Sequence, residues 1–518
     1  MTMPSPPSLT FRQALLAMLG ISLVLMLSAL DQTVIGNALP SIVSELQGFD
    51  WYAWVATGYL LASIVTIPIF GRLGDYYGRK PFVLAATVIF TLASLGCALA
   101  NEMWVLVLGR ALQGVGGGML IGTAFACVPE LFPDTRQRLR WQILLSAMFS
   151  AVNAIGPGLG GYLTGVFGWR SVFWLNIPLG VLALFFAWRF VPWYRPQQTK
   201  AIHLDWLGAL LIVLALGSLQ LFVEWMGDAD VRLSALLGSV CLVAAIGLWV
   251  WERRCSHALL PAPLFESPSI RLLFVLSLLA GAIMFTLLFY LPLLLQGSYG
   301  YSPEEAGLLI TPLALSITLG AIVNSRIMSR LDNPNRLPLA GFCALLIACA
   351  GLAMAGLSAS FNLLLGLILL AGLGLGFILL NLTVFTQTLA ERQFLGIATA
   401  LTQSLRLVGG LLGTACMGVL VKLMYAANLQ RALLASGQGE ALPRLIDPQV
   451  LLNPANPAID SALLDLARAA LAQSVGIGLL TCAALGVLAL VILYRLPPVI
   501  LTRVAPPVAP TPEQQQKT

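Results

Sequence analysis

From Ala14 to Leu30 the chain carries no charge and is almost wholly apolar, and stretches of this kind recur along its length. About 20 apolar residues are what a helix needs to cross the hydrocarbon of a bilayer. With no water there to satisfy the backbone, only a helix or a closed barrel can cross, and runs this long are helical. Of 518 residues, 58% are hydrophobic and 10% are charged, against ~25% charged in soluble domains. These features exclude a soluble protein and give an all-α integral membrane protein.

The other compositional signals are negative. The first apolar run is too long for a secretory signal and continues into polar helix, so no cleaved leader is expected. The eight cysteines stand singly, without CxxC spacing, and read as small apolar residues. No metal site and no cofactor is expected. The net charge of +6 comes from basic residues scattered through short loops, which is no nucleic-acid signature.

The apolar runs give expected spans at 13–38, 51–71, 81–100, 103–128, 140–164, 171–192, 205–225, 233–251, 271–295, 303–325, 337–357, 361–387, 397–424 and 471–494. With the N-terminus inside, about twenty basic residues fall on the cytoplasmic side and about six outside, as the positive-inside rule requires. An even number of spans returns the C-terminus to the cytoplasm. The expected organisation is a six-helix bundle over 1–195, two inserted linker helices over 196–260, a second six-helix bundle over 261–500, and a disordered cytoplasmic tail over 501–518. Repeated halves of this kind are the plan of secondary transporters, with the substrate held between the halves near the midplane.

The stretch "SALDQTVIGNALP" (28–40) interrupts the first apolar run with Asp31, Gln32, Thr33 and Asn37. Asp31 lies about eight residues below the outer end of its span, or roughly 12 Å into the membrane. Arg110, the only charge inside the fourth span, lies about seven residues below that span's outer end, or roughly 10 Å. A charge in lipid costs at least ~2.5–3.5 kcal/mol, so the two are expected to pair or to face water. Either a structural ion pair or a proton-exchanging carboxylate fits. The polar neighbours Gln32, Thr33, Asn37 and Gln113 point to a wet cavity.

Seven motifs then bring out a resemblance: "LDQTVIGNALP" (30–40), "WVATGYLL" (54–61), "GRLGDYYGRK" (71–80), "LGRALQGVGGG" (108–118), "GPGLGG" (156–161), "WRSVFWLNIPLG" (169–180) and "SLRLVGGLLGTA" (404–415). In this order they resemble the fourteen-helix drug:proton antiporters of the major facilitator superfamily, the QacA/EmrB type, over residues 12–495. The resemblance implies a major facilitator fold with 14 transmembrane helices. It also implies proton-coupled export of hydrophobic or cationic drugs by alternating access, with protons, a small-molecule substrate and the lipid bilayer as partners. In a Gram-negative cell a periplasmic adaptor protein would join them. Asp31 and Arg110 would serve proton coupling. Gly71, Asp75, Gly78 and Arg79 would form a conformational latch, with Asp75 accepting from Arg79 or from a neighbouring helix N-terminus. Gly156, Pro157, Gly160 and Gly161 would be the antiporter motif, where proline kinks the helix and glycines allow close packing. In the second half, "GAIVNSRIMSR" (320–330) has Asn324 where the latch aspartate would fall, and no latch is assigned there.

Candidate substrate-binding residues are Gln32, Asn37, Trp54, Tyr59, Gln113, Phe289, Asn381, Gln387 and Arg406, since aromatics suit an apolar, cation-tolerant pocket and amides in lipid need partners. Arg406 has no acid at similar depth in its half. Two readings stay beside broad drug export: a dedicated exporter of one metabolite, antibiotic or siderophore, and a membrane enzyme or lipid-handling protein on a transporter scaffold. The enzyme reading lacks a histidine cluster, paired carboxylates or an activated nucleophile. No P-loop suggests ATP drive, and no filter motif suggests a channel.

Overall fold

The structure is a computed structural model. It describes residues 10–499 apart from 132–134, 194–204, 226–230, 256–261, 329–330, 358, 391–394, 439–440, 447, 449–450 and 452–460. Within helices some side chains, that of Asp75 among them, are also outside the described set, as is the expected tail 501–518.

The described residues form helices and no strands: α1 (Phe11–Leu46), α2 (Tyr52–Tyr77), α3 (Lys80–Ala98), α4 (Met103–Leu131), α5 (Thr135–Phe167), α6 (Arg170–Phe190), α7 (Trp206–Trp225), α8 (Val231–Arg254), the short α9 (Ala262–Glu266), α10 (Pro268–Leu293), α11 (Pro303–Met328), α12 (Arg336–Met354), α13 (Phe361–Leu389), α14 (Leu395–Ala435), the short α15 (Leu442–Leu445) and α16 (Ser461–Tyr494). Among the described residues, eleven helices are long and apolar enough to cross a membrane. The remaining long helices, α2, α5 and α7, have 26, 33 and 20 residues.

Helix starts are written locally. Thr10 and Gln13 form a capping box at α1, the Gln13 amide donating to Thr10 Oγ1 and the Thr10 amide to Gln13 Oε1. Ser302 and Glu305 repeat it at α11, at 2.9 and 3.2 Å. Ser360 caps α13 through the Leu363 amide.

Helices α1 to α6 pack among themselves: α1 against α4, α5 and α6, α2 against α4, and α3 against α4 and α6. So do α10 to α16, through α10–α14, α11–α13, α12–α13, α12–α16 and α14–α16. The two groups meet along α5–α11, α2–α14 and α1–α10, while α7 and α8 pair with each other and α7 lies against α2 and α14.

Four expected boundaries are corrected. Helix α1 does not stop at 38 but runs through Pro40 to Leu46. Pro40 deprives the Gly36 carbonyl of its helical donor without ending the helix. Helix α14 runs eleven residues past 424, and α16 begins ten residues before 471. The apolar run marks where lipid ends, whereas the helix continues as long as one face stays covered. Leu429 and Leu433 are fully buried, and the Tyr425 hydroxyl donates to the Leu445 carbonyl of α15 at 2.8 Å. The expected loop 71–80 is mostly helix: α2 persists to Tyr77 and α3 starts at Lys80. Only Gly78 and Arg79 make the turn, and Gly78 has φ 84°, which favours glycine.

Candidate functional site: an ion pair between α1 and α4

Asp31 on α1 and Arg110 on α4 meet. Arg110 Nη1 lies 2.5 Å from Asp31 Oδ2, and each residue is 1% exposed. The opposite carboxylate oxygen, Oδ1, accepts from Gln113 Nε2 and from Asn176 Nδ2, both at 3.2 Å. Arg110 also donates from Nη1 to Gln113 Oε1 at 2.9 Å and from Nε to the Val55 carbonyl of α2 at 3.2 Å. Its guanidinium carbon sits 4.7 Å from the centroid of the Tyr59 ring, a cation–π contact.

A further ring of polar groups holds these residues. Ser94 of α3 accepts from Gln113 at 2.7 Å and from Asn176 at 3.3 Å. Cys97 Sγ approaches Gln113 Oε1 at 3.4 Å. The Tyr59 hydroxyl is 3.1 Å from Ser28 Oγ and accepts from Gln32 Nε2 at 3.3 Å. Five helices, α1, α2, α3, α4 and α6, therefore contribute to one buried network. A buried charge pair is tolerable when its remaining donors and acceptors find partners, and here both carboxylate oxygens and the Nη1 and Nε donors of Arg110 have them.

This corrects the expectation of a wet cavity around Asp31. Gln113, Ser94 and Asn176 are at most 1% exposed and serve as partners of the pair. Gln32 is half-buried at the edge of the network. Asn176 and Ser94 were not among the expected site residues. The signal was present in "WRSVFWLNIPLG", where Asn176 is an amide in an otherwise apolar span and must find a partner.

Asn37, two turns above Asp31, faces elsewhere. Its Nδ2 donates to the Pro157 carbonyl of α5 at 2.6 Å, and its own carbonyl accepts from Gln296 Nε2 at 3.0 Å. Gln296 lies in a π-helical turn, Leu294–Ser298, at the end of α10. The Tyr52 hydroxyl likewise crosses between the groups to the Phe289 carbonyl at 2.8 Å. Lys422 and Asp50 pair at 2.9 Å. Among the described residues, these crossing contacts gather at the end where α1, α5, α10 and α14 finish and α2 and α11 start.

The glycines of "GPGLGG" explain how the helices approach there. A Cβ at Gly156 would collide with Thr33 Oγ1, and one at Gly160 would lie 2.5 Å from the Val34 carbonyl, so this face of α5 packs on α1. A Cβ at Gly158 would lie 2.6 Å from Thr311 Oγ1, and one at Gly161 would strike the Pro303 carbonyl, so the other face packs on α11. Helix α5 thus has one small-residue face toward its own group and one across the seam.

The remaining candidates are dispersed. Gly71 lies within α2, and the Asp75 side chain is outside the described residues. Arg79 lies over Gly74, where an added Cβ would be 3.1 Å from Arg79 Cγ. Lys80 donates to the Trp188 carbonyl at the end of α6, at 2.7 Å. Trp54 is half-buried against the core. Phe289 is buried and stacks on Phe285 with centroids 6.3 Å apart. Asn381 donates to the Phe377 carbonyl of its own helix at 2.7 Å, leaving Oδ1 without a partner among the described residues. Gln387 and Arg406 are half-buried. Among the described residues, no group of histidine, cysteine, aspartate and glutamate could hold a metal ion.

Residues 21–414 match the Major Facilitator Superfamily. The chain is 29% identical over 409 residues to the multidrug transporter protein MdtP of Bacillus subtilis, covering 78% of this chain and 74% of that one. It is 29% identical over 437 residues to multidrug resistance protein 3 of the same organism, covering 83% and 85%. A solved bacterial homologue of the human lysosomal transporter Spinster, in an inward-facing and unoccupied conformation, superposes with a TM-score of 0.67 at 16% identity, over 94% of this chain and 99% of that chain. At that identity the likeness is one of fold. Matched over most of its length and built of helices able to cross a membrane many times, the chain belongs to the Major Facilitator Superfamily, as a multi-pass cell-membrane transporter and not an enzyme.

Proposed function

We propose that the protein is a proton-coupled antiporter that exports hydrophobic drugs and toxic compounds by alternating access. In this reading all fourteen long helices cross the bilayer with both termini in the cytoplasm. Residues 1–195 and 261–500 form the two rocking bundles, and 196–260 supply the inserted pair. The end of the molecule where the two groups touch is then the outer end, so the conformation is inward-facing. The multidrug transporter and multidrug resistance relatives support the substrate class.

The observation that carries the proton coupling is the buried Asp31–Arg110 pair. Asp31 shares α1 with Asn37, which is tied to the seam through Pro157 and Gln296. A movement that parts the bundles at that end pulls on the helix that holds the carboxylate. If the arginine shifts, the carboxylate is left buried and uncompensated, a cost that taking up a proton removes. Proton uptake and outer opening are then linked, as antiport requires. Trp54, Phe289, Asn381, Gln387 and Arg406 border the substrate path in this reading, and Asp75 with Arg79 latches the inner side.

Proteoliposomes with an imposed pH gradient test it. A panel of hydrophobic cations, neutral compounds and acids should include members that elicit substrate-dependent proton movement. A panel that is transported at rates indifferent to the gradient would remove proton coupling.

A further inference from the structure

We infer that Arg406 and Gln403 form a subsite for an anionic group, so that the exported compounds include amphipathic organic acids, with a carboxylate or comparable acidic oxygen held beside an aromatic face. This rests on the transporter reading and narrows its substrate class.

Charge balance is the first observation. Among the described residues of the N-terminal group, the buried charges Asp31 and Arg110 neutralise each other at 2.5 Å. Arg406 on α14 has no such partner: among the described residues no carboxylate pairs with it, and its buried Nε makes no hydrogen bond. The second observation is Gln403, three residues earlier on the same helix face. Its Oε1 is buried and likewise unpartnered among the described residues. The Arg406 guanidinium has unused N–H donors, and the Gln403 amide, which makes no hydrogen bond among the described residues, is free to turn its NH₂ toward an acidic oxygen one turn away.

Depth places the subsite across from the ion pair. A Cβ at Gly36 of α1 would lie 2.7 Å from the Leu288 carbonyl of α10, and one at Gly281 of α10 would collide with the Arg406 carbonyl. Asp31 precedes Gly36 by five residues and Gly281 precedes Leu288 by seven. At ~1.5 Å per residue the two levels agree to about 3 Å. The neighbouring surface is aromatic: one turn beyond Arg406, Gly410 packs on Phe285, which stacks on Phe289. Phe289 carries the carbonyl that Tyr52 bonds across the seam. An unpaired cation beside stacked rings favours an aromatic or amphipathic acid over a simple cation, which Arg406 repels. Among the hydrophobic or cationic compounds that the resemblance implies, hydrophobic ones with an acidic group therefore stand ahead of cations.

The full chain in phosphatidylcholine nanodiscs, without any gradient, gives the test. Binding of 1-naphthaleneacetate, its neutral amide and 1-naphthylmethylammonium is compared by competition. The acid is expected to bind at least tenfold tighter than the amide, and the ammonium weakest. Arg406→Gln should reduce the acid to the level of the amide, Arg406→Lys should keep part of the preference, and Gln403→Leu should lower it a few-fold. Equal binding of acid and amide in the unaltered protein would overturn the subsite, and that comparison needs no variant to fold. So would a preference that survives Arg406→Gln. A preference abolished by adding phosphatidylglycerol would assign the subsite to a lipid phosphate and overturn the substrate assignment. Because no proton movement is measured, failure of proton coupling would leave these outcomes readable.

Discussion

Arg110 closes on Asp31 at 2.5 Å although the two stand 79 positions apart in the chain. Its other donors reach Gln113 and the Val55 carbonyl, so the guanidinium ties α4 to α1 and α2 at once. The pair is therefore both a fastening of the N-terminal helices and the site where a change in charge would be felt by all of them.

The two roles separate in a double-mutant cycle. Removing one partner of a buried pair leaves the other uncompensated, at a cost of ~3–5 kcal/mol. Asp31→Asn and Arg110→Gln should each lower thermal stability in detergent, and the double variant should lose less than the sum. Gradient-driven transport should stay absent in the double variant even where stability returns, since nothing titrates. Strictly additive losses would mean that the pair carries no coupling energy.

Asn176 is expected to position the carboxylate. It donates to Asp31 Oδ1 and to Ser94 but is not placed to contact a substrate. Asn176→Leu should cost about 1–2 kcal/mol through the lost hydrogen bonds. It should also displace the pH dependence of transport relative to the unaltered protein. Asn176→Asp, which crowds a second acid against Asp31, should displace it further. An unmoved pH profile in both variants would make Asn176 purely structural.

The two faces of α5 should respond differently to added bulk. Gly160 meets the Val34 carbonyl within the N-terminal group, and Gly161 meets the Pro303 carbonyl across the seam. Gly160→Val should lower the melting temperature of the purified protein. Gly161→Val should leave the melting temperature closer to the original while holding the seam open. A cysteine introduced at Gln296, a position 8% exposed, would then react faster with an alkylating reagent. Equal effects of the two substitutions on melting and labelling would contradict this division.

Between α2 and α3, Gly78 turns the chain with φ 84°. Gly78→Ala should cost about 1 kcal/mol because its backbone is strained there. Asp75→Asn should slow turnover while leaving substrate affinity within a few-fold, if the acid belongs to a latch. Affinity lost with turnover unchanged would instead make this segment part of the binding site.

The meeting of Asp31 and Arg110 was legible because depth along a helix follows from counting residues, and two lone charges at one depth have strong reason to pair. The partners Asn176 and Ser94 were not, because counting fixes depth but not the rotation of α6 and α3 about their axes. Tyr59 shows the same limit: its aromatic ring suggested a substrate pocket, yet it lies under Arg110 with its hydroxyl on Ser28 and Gln32. The ends of α1, α14 and α16 were misjudged because hydropathy reports lipid and not helix. The two-faced packing of α5 needed the positions of both α1 and α11, which no single segment encodes.

The most direct test of the central claim is substrate-driven proton movement in proteoliposomes carrying either the unaltered protein or Asp31→Asn, at matched membrane insertion. The unaltered protein should couple substrate addition to a pH change, and Asp31→Asn should abolish that change while still binding substrate. Undiminished proton movement in the Asp31→Asn protein would contradict the assignment of Asp31 as the coupling site.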